Sequence, residues 1–223
     1  MAVTDEAIGK IKEMIISGAL QPGDRLPKEP VLAAQLGLSR NSLREAVKAL
    51  SLLNVLDVRQ GDGTYVSSLE PPLLLEALTF ILDLHRDESV LELFQVRAIL
   101  EPAAAAIAAQ LMDDRQVAEL RAMLAEPGEH PTVEELVAND LEFHRRIAAA
   151  TGNSLLCSLI DSLSGRTARA RIWRGLTQDS AVERTMAEHL AIVEALEAGD
   201  PETARAWATV HISNVTQWLR RAL

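Results

Sequence analysis

"LGLSRNSLREAVKAL", residues 36–50, sets Arg40, Arg44 and Lys48 at four-residue intervals in a 223-residue chain of formal net charge −10. Four-residue steps advance about 400° around an α-helix, so the three cations form one stripe. Leu43, Val47 and Leu50 form a second stripe, roughly opposite, that can be buried. Gly37 supplies the left-handed backbone that ends a preceding helix, and Ser39 is a natural N-cap for a helix over 40–53. Ala33, four residues before the glycine, and Leu43, six after it, suit two helices crossing closely around a tight turn. The stretch predicts a helix-turn-helix whose second helix offers its N-terminal half to the major groove of double-stranded DNA. Arg40, Asn41, Ser42 and Arg44 then stand where side chains reach base edges, arginine suiting guanine and asparagine suiting adenine. Lys48 lies further along, at phosphate.

Upstream, residues 4–18 read as an amphipathic helix with Ile8, Ile11, Ile15 and Ile16 on its apolar side. "QPGDRLP" breaks it, and residues 29–36 form a short second helix. Downstream, "VLDVRQGDGTYV", residues 55–66, alternates apolar and polar residues around a Gly61-Asp62-Gly63 turn, which predicts a β-hairpin wing. "SSLEPP", residues 67–72, reads as a linker. Beyond it, helical segments are expected near 73–84, 89–111, 113–125, 132–150, 153–172, 180–198 and 201–221, with Pro131, Gly152, Gly175, Gly199 and Pro201 as punctuation. The expected fold is mainly α: a winged helix-turn-helix domain over 1–68 and an all-α helical bundle over 69–223.

Charge supports this division. Residues 1–68 hold eight Lys and Arg against eight Asp and Glu, so residues 69–223 carry the entire −10. Two regions with different partners are the simplest explanation. The opening "MAVTDEAIGK" has acids and no apolar run, and no segment approaches the length needed to span a bilayer, so a cytoplasmic protein without membrane contact is expected. The single cysteine, Cys157, excludes an intrachain disulfide and reads as a core residue in "SLLCSLI". Trp173, Trp207 and Trp218 read as packing residues.

In the second region, Asp140 and His144 stand one helical turn apart in "NDLEFHRRI", while His189 and His211 sit among apolar neighbours on the last two helices. Such a set can hold a divalent ion, zinc first, with nickel and manganese as alternatives. The bland alternative is a group of hydrogen-bonded core histidines. Arg97, four residues before Glu101, is either an intrahelical salt bridge to Glu101 or Glu92 or a guanidinium that grips a ligand carboxylate. Arg166, Arg169, Arg171 and Arg174, in "GRTARARIWRG", read as solvated or salt-bridged.

"PGDRLPKEPVLAAQLGLSRNSLREAVKALSLLNVLDVRQGDGTYV", residues 22–66, closely resembles the winged helix-turn-helix of the GntR family of bacterial transcription regulators. The resemblance implies a DNA-binding set of Lys28, Ser39, Arg40, Asn41, Ser42, Arg44 and Lys48, with Arg59, Gly61, Gly63 and Thr64 in the wing. Two departures stand out. Lys28-Glu29-Pro30 occupies the place of a usual Ser-Glu-Arg, so a DNA-contacting arginine is missing at Pro30, and Asp62 puts an acid at a wing tip that is commonly basic. A shallower wing contact is expected. "RAILEPAAA", "DLEFHRRIAAATGN" and "EHLAIVEALEAGDPETARAWATVH" resemble the FCD effector domain of the FadR-type branch of that family. This implies that Asp140, His144, His189 and His211 ligate the metal and that Arg97 binds the effector. The implied protein is no enzyme but a homodimeric regulator whose operator affinity is set by a small organic acid, a hydroxy or sugar acid. A regulator with a purely structural metal and a metalloenzyme are the alternatives.

Overall fold

A computed structural model describes residues 3–73, 75, 89–126, 131–178 and 180–223. Most of the helix expected at 73–84, together with His85 and His130, lies outside the described residues. The chain divides into two compact units, Met1–Leu82 and Asp83–Leu223.

The first unit contains α1 (Val3–Ile16), α2 (Glu29–Leu36), α3 (Arg40–Leu52) and the antiparallel strands β1 (Leu56–Arg59) and β2 (Gly63–Val66). Gly37 ends α2 with φ of 64°, and the following Leu38 amide returns to the Ala33 carbonyl at 2.9 Å. Ser39 caps α3, its Oγ accepting from the Ser42 amide at 3.0 Å. Pro30 falls in the first turn of α2, where a missing amide hydrogen removes no helical bond. Ala33 and Leu43 are buried at the helix crossing, and Ala7, Ile11, Leu32, Leu50, Leu56 and Val66 complete one core. Leu69 packs on that core and Asn54 Nδ2 donates to the Leu73 carbonyl, so part of the expected linker lies against the first unit.

The regular structure of the second unit, among its described residues, consists of helices: α4 (Ser89–Leu111), α5 (Asp114–Ala125), α6 (Val133–Ala150), α7 (Ser154–Thr177), α8 (Ala181–Glu197) and α9 (Pro201–Ala222). Their starts are set locally. Asp113 and Thr132 form capping boxes with Gln116 and Glu135, and Asn153 and Asp200 cap α7 and α9. Small residues of α4, among them Ala105, Ala108 and Ala109, are buried with Ile192 and Leu196 of α8 and Ala204 and Ala208 of α9. Their size lets these helices approach closely.

Three expectations change. Gly175 does not terminate α7, which continues to Thr177; a Cβ there would stand 2.7 Å from Val133 Cγ1, so the glycine makes room for α6 instead. Trp218 is buried, but Trp173 and Trp207 are each 40% exposed, and Trp173 packs edge-on against Trp218. Cys157 is half-buried rather than central.

The Gly175–Val133 contact predicts non-additivity. Gly175→Ala should gain helix propensity only where Val133 has been cut back, so a double-mutant cycle with Val133→Ala in urea should give a coupling of about 1 kcal/mol or more. Additive effects would show that the two helices can separate freely.

Candidate metal centre and DNA-reading face

α6 carries Asp140 and His144 one turn apart, α8 contributes His189 and α9 contributes His211. All four are buried, and one ligand atom from each lies within 4.8 Å of the others. The three Nε2 atoms of His144, His189 and His211 stand 3.6, 3.3 and 3.9 Å from Asp140 Oδ1. His144 and His211 Nε2 are 3.2 Å apart. Ligands about 2.0–2.2 Å from a tetrahedral zinc are separated by about 3.3–3.6 Å, so this spacing fits a first-row divalent ion. Among the described residues neither ring nitrogen of His189 makes a hydrogen bond, although the ring is 1% exposed and stacked on Phe143. Buried polar atoms without partners are costly, and an ion would satisfy this one. The sequence-expected ligand set is therefore brought together in a form compatible with metal binding.

Residues that the sequence reading did not connect with the imidazoles hold the ligands in place. Glu101 Oε2 lies 2.8 Å from His144 Nδ1, and Glu188 Oε2 lies 2.9 Å from His211 Nδ1. Asn214 Nδ2 donates to the other Glu188 oxygen at 2.6 Å. Carboxylates on the far nitrogens leave both Nε2 atoms free as ligands. Burial alone would raise Glu101, but Arg97 and His144 beside it hold its carboxyl well below the usual range. Glu188 is likewise lowered, against burial, by its hydrogen bonds from His211 and Asn214. Burial pushes His189 far down, with His211 and His144 adding to it, and lowers His211 to about 4 despite the Glu188 bond. Neutral imidazoles are the form that ligates.

Two arginines stand behind this cluster. Arg97, fully buried, pairs through Nε with Glu101 and donates from Nη1 to Thr167 Oγ1 at 2.7 Å, while among the described residues its Nη2 has no hydrogen bond. The salt bridge to Glu101 is thus formed, and Glu101 in turn holds His144. Arg171 pairs with Asp140 Oδ2 and donates to the Ser164 carbonyl. Of the four arginines read as solvated or salt-bridged, Arg169 is exposed, whereas Arg171 and Arg174 are buried. A cavity open to solvent reaches Asp140, His189 and His211, and Arg171 and Arg174 line it. Arg97 does not line that cavity.

On the first unit, Arg40, Asn41, Arg44 and Lys48 are exposed along α3, Ser39 is exposed at its cap and Ser42 half-buried. Arg44 Nη2 meets Glu29 Oε1 at 2.9 Å and Lys48 Nζ meets Glu45 at 2.9 Å. In the wing, Arg59 pairs with Asp57 and lies 4.2 Å over the Tyr65 ring. Lys28 precedes α2, and Gly61, with φ of 79°, turns the hairpin toward Gly63 and Thr64. Asp62 accepts from Tyr65 Oη at 2.8 Å, and its carbonyl accepts from Arg25. Exposed pairs of this kind contribute about 0–1 kcal/mol, so phosphate can displace them.

Because His189 and His211 are held neutral in the fold, the unfolded chain takes up protons that the folded chain refuses as pH drops below the ordinary value of 6.5. Metal-stripped protein should therefore lose thermal stability between pH 6.5 and 5, the loss from His211 ending near its folded value of about 4. Melting followed by circular dichroism checks this; a temperature that stays constant or rises over that interval contradicts it.

Residues 3–66 match the family described as bacterial regulatory proteins, gntR family, and residues 92–214 match the FCD domain. The HTH-type transcriptional regulator LutR of Bacillus subtilis (strain 168) is 33% identical over 208 residues, spanning 91% of this chain and 94% of its own. The galactonate operon transcriptional repressor of Escherichia coli (strain K12) is 25% identical, over 97% of this chain and 96% of its own. Among solved structures, Streptococcus agalactiae GntR aligns with a TM-score of 0.69 at 25% identity, covering 96% of this chain and 99% of that one. No helix among the described residues is long and apolar enough to cross a membrane. The chain belongs to the GntR family and is a DNA-binding transcription regulator of the GntR/FCD type.

Proposed function

We propose that this regulator is a cytoplasmic homodimer whose affinity for operator DNA is set by a small carboxylate bound at a divalent-metal centre in the helical unit. The observation that carries the reading is the buried convergence of Asp140 with three imidazoles beside two buried arginines, at the end of an open cavity. Zinc is the first choice for three nitrogens and one oxygen, with nickel and manganese as alternatives. A bound ion would supply a Lewis-acidic contact for a carboxylate oxygen. The protein supplies the rest: Glu101 and Glu188 orient the imidazoles, and Arg171 balances the Asp140 charge.

For Arg97 the salt bridge to Glu101, one of its two readings, is favoured over the direct clamp that the family resemblance implied. Its Nε and Nη1 already hold Glu101 and Thr167, and it lies outside the cavity. We therefore assign it a positioning role, adding positive potential and fixing Glu101. A cavity that reaches three of the four ligands favours a responsive centre over a purely structural one, and relatives named as regulators favour regulation over catalysis. Exposed Ile99, Ile107 and Leu111 on α4, with Trp207 on neighbouring α9, offer an apolar face for the second copy.

Reading is assigned to α3, with Lys28, Ser39, Arg40, Asn41, Ser42, Arg44 and Lys48 at the groove and Arg59, Gly61, Gly63 and Thr64 in the wing. A carboxylate that binds one arrangement of the dimer better than the other shifts the spacing of the two α3 helices and hence the affinity. The test starts from DNA selected by the zinc-loaded chain out of a random-sequence pool, with binding then titrated by salt and by carboxylates. Arg44→Ala should weaken binding and, as a phosphate contact, flatten the log K against log salt slope by about 0.9, leaving carboxylate binding intact. Failure to select any sequence, or an unchanged slope and affinity in Arg44→Ala, would falsify the assignment of α3.

A further inference from the structure

The cavity beside the metal ligands is chemically two-ended. Its inner end holds Asp140, His189 and His211 with Arg171 and Arg174. Arg174 is buried, its charge is felt by Glu188, which holds His211, and its Nε donates to Gln178 Oε1 at 2.8 Å. Among the described residues its two Nη groups donate no hydrogen bond. Burial disfavours that charge, lowering Arg174 from its ordinary value, so an anion beside it is welcome. The remaining wall is different. Val133, Leu136, Val137, Val182, Met186 and Val215 line it, and among the described residues of this wall the only uncharged polar side chains are Asn139 and Thr185. Asn139 is partly committed already, donating from Nδ2 to the Met123 carbonyl at 2.6 Å. Gly175 lets Val133 close tightly on the α7 backbone, which keeps that wall continuous and apolar.

We infer that the effector is an aliphatic monocarboxylate, its carboxylate held by Arg174 beside the metal ligands and its alkyl chain lying on the apolar wall. The inference rests on the carboxylate-responsive reading above and names the class of acid within it. A sugar acid has four hydroxyls beyond its carboxylate and α-carbon, and this wall offers partners for about half of them. Each hydroxyl buried without a partner weakens binding about tenfold. Each methylene laid on the wall strengthens it about fourfold. Arg174 is thereby a specificity-determining residue, with a fork suited to both carboxylate oxygens.

The experiment is calorimetric titration of the zinc-loaded full chain with acetate, propanoate, butanoate and pentanoate, and with gluconate. Affinity should rise about fourfold per carbon along the series, and pentanoate should outbind gluconate by about 100-fold or more. Arg174→Gln should weaken every member by about tenfold or more while leaving the per-carbon increment unchanged, and Arg174→Lys should recover part of the loss. Zinc content and melting temperature of both variants establish that they fold and load. A series that binds with no gain per carbon, tightest binding by gluconate, or full affinity in Arg174→Gln overturns this inference and leaves the carboxylate-responsive reading standing. If none of the five acids binds, that reading falls and takes this one with it.

Discussion

Asp140 is a carboxylate only 5% exposed at the centre of a helical bundle, and compensating its charge governs the arrangement around it. An unpaired buried carboxylate is too expensive to keep ionised. Asp140 has Arg171 on Oδ2 and three imidazole edges around Oδ1. Arg171 must then be placed, through the Ser164 carbonyl and Thr167; Thr167 also receives Arg97; Arg97 holds Glu101; Glu101 holds His144. The chain of contacts returns to the helix on which it began. It draws on α4, α6 and α7, and His189 and His211 add α8 and α9. Only α5 among the described helices of this unit stays outside it. The centre is thus also a large part of what fixes the relative placement of the helices, which is why a ligand there can be felt at a distance.

The DNA-reading unit follows the opposite electrostatic logic. Its cations are exposed and each of Arg44, Lys48 and Arg59 has a nearby acid, giving a surface of zero net charge over residues 1–68. Such a surface binds DNA by exchanging internal pairs for phosphates rather than by a strong bare field. Asp62, which sequence reasoning placed as a repulsive group at the wing tip, is occupied by the Tyr65 hydroxyl and lies beside Arg25, so part of its charge is answered within the wing.

Features written in short spacings were legible in the sequence. Gly37 with Ser39 marks the tight turn, and the helix starts expected at 113, 132, 153 and 201 fall within a residue or two of those that Asp113, Thr132, Asn153 and Asp200 cap. The i, i+4 pair Asp140 and His144 announced a shared face, His189 and His211 stood out among apolar neighbours on the last two helices, and the resemblance implied that all four ligate one ion. What stayed hidden depends on helices meeting. Glu188 adjoins His189 in sequence yet serves His211, on another helix, because neighbours on a helix point about 100° apart. Arg171 read as one of four solvated or salt-bridged cations, and only the packing of α7 on α6 shows that its partner is the buried Asp140. Gly175 looked like a helix end, and only the approach of Val133 reveals why a glycine stands there.

The central claim is that Asp140, His144, His189 and His211 together hold one divalent ion. X-ray absorption at the zinc edge of the zinc-loaded full chain tests it most directly. The account predicts a shell of nitrogen and oxygen scatterers at about 2.0–2.2 Å with multiple scattering from three imidazoles. A sulfur shell at about 2.3 Å, or a signal from fewer than three imidazoles, would contradict it.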